Sequence, residues 1–452
     1  MEIKRLKLSN IGRFTDLDIA FAPTETHPCK VTVLVGNNGS GKSTVLDALA
    51  TLLSWQVAKI RSERGAGNKL KAGLISNGRS FGAMELTVSE RFPFDGSGSL
   101  EQFSWTVAFA VSGRKSEAHN AFVKLSLLAD GYRTLLTQNL GASLPLLVSY
   151  PVSRSYVEVS LKASANPGFD QMDGYQDAIG RGVSFRKFFE WFREREDREN
   201  EDGVSVDALN RHKEMYGADS NGAKLLSDLY EASRDRQLNS VRKAISAFMP
   251  GFDNLRVRRK PRLHMAVDKD GKTLDIDQLS QGELATMAMV GDIASRLALL
   301  NPNLENPLEG LGTILIDEID LHLHPKWQRS VIARLTSTFP NCQFVLTTHS
   351  PLVISDVKEV LVYVLDTDGV HEQDSLYGLD ANQVLLSVMN TDVRNSKVQA
   401  DLDRIQSLLL SGQLEEAKSL YQTLSEELPE TSIELAKADL LIRKLELRRA
   451  QN

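Results

Sequence analysis

The chain has 452 residues, a length that predicts about two to three domains. Hydrophobic residues make up 42% and charged residues 25%, the balance of a soluble globular protein, and no run approaches the roughly 18 apolar residues that a membrane span requires. The net charge of −6 argues against a protein that coats nucleic acid through a generally basic surface, though it leaves room for a local basic groove.

The N-terminus, Met1-Glu2-Ile3-Lys4-Arg5-Leu6, reads as a strand and not as a secretory signal, so a cytoplasmic location is expected. Leu17 to Phe21 alternate apolar and polar. Val31 to Val35 form a buried strand that runs into Gly36-Asn37-Asn38-Gly39-Ser40-Gly41-Lys42-Ser43. A helix opens at Ser43, with Val45, Leu46, Leu49, Leu52 and Leu53 on its buried side. Residues 80–160 read as strand-rich: Ala83–Val88, Phe103–Val111, Ala121–Leu128 and Leu146–Ser149. Phe185 to Asn200 is a helix with an aromatic face and a charged face. The mixed charge reads as a solvated surface. Phe188, Phe189, Trp191 and Phe192 wrap further around the helix than one buried stripe requires, which leaves a partner-docking face as the sharper alternative.

A second helical segment covers roughly Gly222 to Phe248. Residues 254–276 return to strands, with Asp270-Gly271 as a hairpin turn. Leu279-Ser280-Gln281-Gly282-Glu283 then precedes a helix that packs Leu284, Met287, Ala288 and Ile293 inward. Thr313–Ile316 and Phe344–Leu346 are core strands, and Val360–Leu365 with the turn at Asp366-Thr367-Asp368-Gly369 closes this part. From Lys397 on, two or three helices follow, punctuated by Gly412 and Pro429. They look like one tetratricopeptide-like pair, whose apolar stripes need a cover.

The loop 36–43 has the G-x-x-x-x-G-K-[ST] pattern in the right context, after a strand and before a helix. Its glycines let backbone N–H groups approach phosphates, and the helix N-terminus adds its dipole. Gly36, Asn37, Asn38, Gly39, Ser40, Gly41, Lys42, Ser43 and Thr44 are therefore expected to cradle ATP. Lys42 would contact the β- and γ-phosphates, and Ser43 would ligate Mg²⁺. The strand Gly312–Ile316 delivers Asp317 and Glu318 to its C-terminal end, where Asp317 would serve Mg²⁺ and Glu318 would polarise the attacking water. His349 ends another buried strand and would sense the γ-phosphate.

The string at 279–283 is the signature that ATP-binding-cassette proteins present to a γ-phosphate held by a different subunit. It assigns Ser280, Gln281 and Gly282 to a nucleotide sandwiched between two copies, with Asp320 in the loop that crosses between them. The glutamine loop of such proteins is hard to find. Gln138 fits poorly, and Tyr150-Pro151-Val152-Ser153-Arg154 can take that place, with Arg154 near the nucleotide.

Other features are weaker. His322 and His324 lack a third metal ligand and read as surface or interface residues. Cys29 and Cys342 form no C-x-x-C pair, which argues against zinc or redox chemistry. Arg256, Arg258, Arg259, Lys260 and Arg262 form the densest basic cluster, with Arg256, Arg258 and Lys260 on one face of a strand. Phosphate-backbone contact, an acidic partner and simple solvation all fit it.

The strings GNNGSGKST, LSQGE, LIDEID, LHLHPKWQ and TTHSP together resemble the bacterial ATPases related to SMC and RecF proteins and to OLD nucleases. The resemblance implies an α/β ABC-type P-loop ATPase head with an inserted helical lobe and a helical C-terminal extension. The expected division is 1–160 and 251–395 for the head, 161–250 for the insertion and 396–452 for an oligomerisation or partner-binding extension. An SMC-length coiled coil is excluded, since roughly 240 residues without sustained heptads separate Lys42 from Ser280. Asp366-x-Asp368 sits in a turn and not in a Toprim domain.

A narrower resemblance rests on FDQMDGYQDA (169–178), VSFRKFFEWFREREDREN (183–200) and the helical tail. These look like the PtuA ATPases of Septu-type and retron-linked anti-phage systems. That family implies ATP and Mg²⁺, dimers assembling into a larger homo-oligomer, and an HNH nuclease partner of the PtuB kind, since this chain shows no nuclease constellation. A RecF- or SMC-like DNA-binding ATPase of DNA repair is the alternative, with DNA as its partner. A third reading, a scaffold with a structural nucleotide, is opposed by the intact Glu318 and His349.

Overall fold

Alternating burial in the first residues produces a hairpin. Ile3, Leu6 and Leu8 of β1 (Glu2–Ile11) point inward while Arg5 and Lys7 face solvent, and β2 (Phe14–Ala20) pairs antiparallel with it. β3 (Val31–Gly36) is buried along its whole length and feeds the phosphate loop and α1 (Lys42–Arg61). β4 (Phe81–Arg91) and β5 (Leu100–Ala110) complete a four-stranded antiparallel sheet in the order β2-β1-β4-β5. The computed structural model describes all residues except 92–99, 115–116, 156–168, 181–182, 203–210, 213, 218–219, 368, 374–375, 390–394, 430–431 and 452. Asp368 therefore lies outside the described residues. Two compact units divide the chain, Met1–Leu379 and Asp380–Asn452.

The strand expected at Ala121–Leu128 is instead the start of a helix, α2 (Val123–Gln138). Val123, Leu125 and Leu127 mimic strand alternation, but only Leu125 is buried. With Leu128, Ala129 and Tyr132 it forms a helical stripe, while Val123 and Leu127 face solvent. After β6 (Leu146–Tyr150) the chain enters the aromatic helix α3 (Phe185–Asp202).

Phe185, Phe188, Phe189, Trp191 and Phe192 of α3 are all buried, so they are core and offer no docking face. The reason is close packing. A Cβ added at Gly291 would lie 2.7 Å from the Phe188 ring. The charged residues of α3 bind neighbours as well. Glu199 accepts from Arg242 at 2.7 Å, and Glu196 accepts from Arg242 at 3.0 Å and from the Val257 N–H at 2.9 Å. The second helical segment is two helices, α4 (Asn221–Ser233) and α5 (Arg236–Phe248), and Asp235 caps α5 by accepting from Leu238 N–H.

β7 (Phe252–Arg258), β8 (His264–Lys269) and β9 (Lys272–Asp275) form a three-stranded antiparallel sheet. Its hairpin turns on Asp270 and Gly271, both with positive φ. The basic cluster there is largely neutralised within the chain. Arg256 pairs with Asp268 at 2.9 Å, Arg259 with Asp197, and Arg262 with Asp275 at 3.3 Å. Lys260 falls beyond the end of β7, so the expected three-residue basic face reduces to Arg256 and Arg258.

α6 (Gln281–Leu300) is buried at every position from Thr286 to Leu300. β10 (Gly312–Ile316), α7 (Pro325–Thr338), β11 (Cys342–Thr348), the short α8 (Pro351–Ile354), β12 (Leu361–Leu365) and β13 (Val370–Gln373) follow. The six-stranded sheet runs β13-β12-β3-β11-β10-β6, parallel except for β13, with the phosphate-loop strand between two strands from the far end of this unit. Such a sheet is buried on both faces, which is why these strands read as continuous apolar runs.

The second unit contains α9 (Ala381–Ser387), α10 (Ser396–Leu410), α11 (Leu414–Glu427) and α12 (Ile433–Gln451). It has its own core of Ile405, Leu409, Leu414, Ala417, Leu424, Leu435, Ala438 and Ile442. Among the described residues no helix is long and apolar enough to cross a membrane.

Candidate nucleotide site

The register of the parallel sheet assembles the site. Val35 lies opposite Thr348, Gly36 opposite Leu365, and Ile316 opposite Leu346. The C-terminal ends of β3, β10 and β11 therefore open at one edge of the sheet, where α/β proteins bind ligands.

The phosphate loop depends on glycine at two positions. At Gly36 (φ 150°) an added Cβ would lie 2.2 Å from the Leu365 carbonyl oxygen. At Gly41 (φ 97°), the N-cap of α1, it would lie 2.5 Å from the Phe14 ring. Lys42 is buried and its Nζ donates to the carbonyls of Gly36 at 2.7 Å and Asn37 at 3.0 Å. Burial lowers the Lys42 ammonium from its ordinary range, and the carboxylates of Asp317, Glu318 and Asp320 act in the opposite sense. Ser40 Oγ is buried without a hydrogen-bond partner among the described residues. Gly39 (φ 79°) has open space on the side of a would-be Cβ, and Ser43 and Asn38 are exposed. A buried orphan hydroxyl, a lysine directed at loop carbonyls and an open cradle of backbone suit a polyphosphate with its magnesium ion.

Asp317 is buried beside this loop. Its backbone N–H donates to the Tyr150 carbonyl at 2.9 Å, and one carboxylate oxygen accepts from Thr347 Oγ1 at 2.5 Å. Glu318 has φ 48°, the left-handed region rarely used by residues other than glycine, and its N–H donates to the same Thr347 Oγ1 at 2.7 Å. Asp320 accepts from Thr348 Oγ1 at 2.5 Å and from the His349 N–H at 3.3 Å. Gln328 of α7 donates to the carbonyls of Asp320 and Leu323 and accepts from Ser350 Oγ at 2.8 Å. Residues 317–320 are thus fastened to the end of β11, and Ile319 N–H donates to the Thr347 carbonyl at 2.9 Å.

Ser280 caps α6. It forms a reciprocal capping box with Glu283, and Lys269 of β8 donates to Glu283 at 2.6 Å. Ser280 and Gln281 are exposed. A Cβ at Gly282 would meet the His322 carbonyl oxygen at 2.3 Å, so the signature abuts the 317–323 turn of its own chain. This close backbone approach accounts for the glycine.

Pro151 leaves the end of β6, next to β10 and at the edge that carries Asp317. Arg154 is in the turn Val152–Ser155, and its side chain lies outside the described residues. Gln138 is exposed at the end of α2. His324 caps α7, with Nδ1 accepting from the Lys326 N–H. The described residues contain no cluster of metal-ligating type.

Sequence reasoning missed Thr347, Thr348 and Asp47 here, and named Tyr150 only as the start of the glutamine-loop candidate. Thr347 and Thr348 anchor the carboxylate turn. The Tyr150 hydroxyl donates to Asp292 of α6 at 2.7 Å. Asp47 lies one helical turn after Ser43 on the exposed side of α1, and desolvation and then the Asp317 charge raise its carboxyl. Only the TTHS string hinted at the first two.

Residues 155–355 match the family described as "AAA domain, putative AbiEii toxin, Type IV TA system", and residues 5–245 match one described as "AAA domain". The "Retron Vc95 probable ATPase" of Vibrio cholerae is 31% identical over 91% of this chain and 84% of its own length. The "Retron Ec83 probable ATPase" of Escherichia coli is 31% identical over 81% of this chain and 71% of its own. A "Septu protein PtuA" of Bacillus mycoides is 37% identical over a shorter stretch, 20% of this chain and 12% of that one. Among solved structures, an Smc head bound to the C-terminal winged-helix domain of ScpA aligns with TM-score 0.45 and 15% identity, covering 82% of this chain and 97% of that one. The chain belongs to the AAA-domain ATPases and is a relative of the retron ATPases of Escherichia coli and Vibrio cholerae.

Proposed function

We propose that this chain is the ATPase subunit of a cytoplasmic anti-phage defence complex, in which two copies sandwich ATP and the dimers assemble further to recruit and regulate an HNH nuclease of the PtuB kind. The observation that carries the sandwich is the signature. Ser280 and Gln281 are exposed at the start of a helix otherwise sunk into the core, a position suited to contact with another subunit. The relatives named for retrons and Septu support the defence reading.

In this reading the loop Gly36–Ser43, with Thr44, holds the phosphates. Lys42 exchanges its bonds with the Gly36 and Asn37 carbonyls for phosphate oxygens. Ser43 and Asp317 hold Mg²⁺, which neutralises phosphate charge when bound. Glu318 orients the water, and His349, Asp320 and Arg154 approach the γ-phosphate. Ser280, Gln281 and Gly282 complete the partner's site. Nuclease action comes from the partner protein. The intramolecular ion pairs of Arg256, Arg259 and Arg262 weaken the DNA-repair reading, which drew on that basic cluster.

The test is co-expression with the neighbouring genes, followed by affinity purification and light scattering with and without ATP, in wild type and in Glu318→Gln. A nuclease that co-purifies in a large complex, and loss of phage protection in Lys42→Ala, are the expected results. A nucleotide-dependent dimer that binds DNA and brings down no nuclease would move the protein to the repair class.

A further inference from the structure

We infer that Thr347 is a positioning residue for ATP hydrolysis, setting the metal-side and water-side carboxylates with one hydroxyl. The inference rests on the roles proposed above for Asp317 and Glu318.

The parallel register of β10 and β11 pairs Ile316 with Leu346, which brings Thr347 beside Asp317. Thr347 is fully buried. A hydroxyl has one proton to give and lone pairs to receive with. Here the proton goes to the Asp317 carboxylate at 2.5 Å, and a lone pair receives the Glu318 N–H at 2.7 Å. The Thr347 carbonyl receives the N–H of Ile319 at 2.9 Å. Three consecutive residues of the turn are therefore fixed to one residue.

Glu318 is where such a fastening matters. Its φ of 48° is unfavourable for a side chain with a Cβ and persists only where the surroundings over-determine it. That backbone geometry aims the Glu318 side chain. The same hydroxyl fixes the rotation of the Asp317 carboxylate about its own axis. Valine has the shape of threonine and neither bond. Serine keeps both bonds and lacks the methyl group. A role confined to packing makes valine the harmless change; a positioning role makes it serine.

The experiment uses the full chain with Thr347→Val and Thr347→Ser, each in wild-type and Glu318→Gln backgrounds. Three quantities are read: binding of a fluorescent ATP analogue in EDTA, the Mg²⁺ concentration that half-saturates its enhancement, and single-turnover hydrolysis. Thr347→Val should bind nucleotide in EDTA within about twofold of wild type, because the phosphate loop is untouched. It should need several-fold more Mg²⁺ and hydrolyse roughly 10- to 100-fold more slowly, the range for losing a hydrogen bond to a charged group. Thr347→Ser should recover most of both. In the Glu318→Gln background, Thr347→Val should lose under about threefold in rate yet keep the raised Mg²⁺ requirement, as residues acting through one another are not additive.

Equal fold-losses in the two backgrounds, a valine variant that hydrolyses like wild type, or a serine variant as impaired as valine would overturn the inference. If valine prevents folding, the serine variant and Thr347→Ala carry the same comparison. Normal hydrolysis by Glu318→Gln alone overturns the water-side role of Glu318 and is read separately.

Discussion

Ser280→Arg and Lys42→Ala disable opposite halves of the proposed composite site, so mixing the two proteins tests whether nucleotide is shared between copies. The Ser280 side chain is exposed and its structural work is the capping box, in which Glu283 N–H donates to Ser280 Oγ at 3.3 Å and Ser280 N–H to Glu283 at 3.1 Å. Losing a cap costs about 1 kcal/mol, or roughly 1–2 °C of melting temperature in a unit as large as Met1–Leu379. Lys42→Ala removes two hydrogen bonds to loop carbonyls but also an ammonium that burial disfavours, so its stability should change by no more than about 1 kcal/mol. Both variants should fold, and neither should hydrolyse ATP alone.

In a mixture the Lys42→Ala subunit supplies an intact signature and the Ser280→Arg subunit an intact phosphate loop. Random two-fold pairing makes about half of the dimers mixed, each with one complete site of two, so activity should return to roughly a quarter of wild type. Phosphate release against mixing ratio measures it, with a maximum at equal amounts. A mixture as inactive as its components, with mixed dimers confirmed by differential tagging, would refute the sharing of sites. So would full activity of Ser280→Arg alone.

Other outcomes follow from burial. Phe189→Ala empties a fully buried position in α3 and should cost about 3–5 kcal/mol in urea unfolding; a loss below about 1 kcal/mol contradicts the core assignment. Ile433, Leu440 and Leu447 are 70%, 67% and 65% exposed at seven-residue spacing on α12. Leu440→Glu should leave unfolding within about 0.5 kcal/mol but lower the mass seen by light scattering, and an unchanged mass removes this stripe from the assembly. Burial pushes the Cys342 thiol up to about 12, so at neutral pH a disulfide reagent should modify it only after denaturation, and fast labelling of the folded protein contradicts its burial.

The nucleotide loop was legible because its chemistry constrains the backbone, and the backbone constrains the residues. Gly36 and Gly41 are glycine since Leu365 and Phe14 leave no room, so sequence and geometry say the same thing. The central strands were legible for a related reason, as burial on both faces writes a plain apolar run. Legibility failed where a pattern has two readings. Val123 and Leu127 imitate alternation although both are exposed on a helix, and the α3 aromatics exceed one stripe because α3 is packed on more than one side. The basic cluster misled because a sequence displays its arginines without the partners that fold against them, such as Asp268, Asp197 and Asp275. Thr347 stayed hidden because its partners lie about 30 positions away and only strand register brings them together.

The chain's last segment carries a consequence of another kind. Ile405, Leu414, Leu424, Leu435 and Ile442 close a core of their own among α10, α11 and α12. A segment that satisfies itself can diverge, or be exchanged for another, while the strands that hold Lys42 and Asp317 stay under their own constraints. On the proposed function, new companions would be acquired by rewriting the outer faces of a few helices. In that reading the nucleotide machinery would be the shared engine, and the tail an interchangeable coupling.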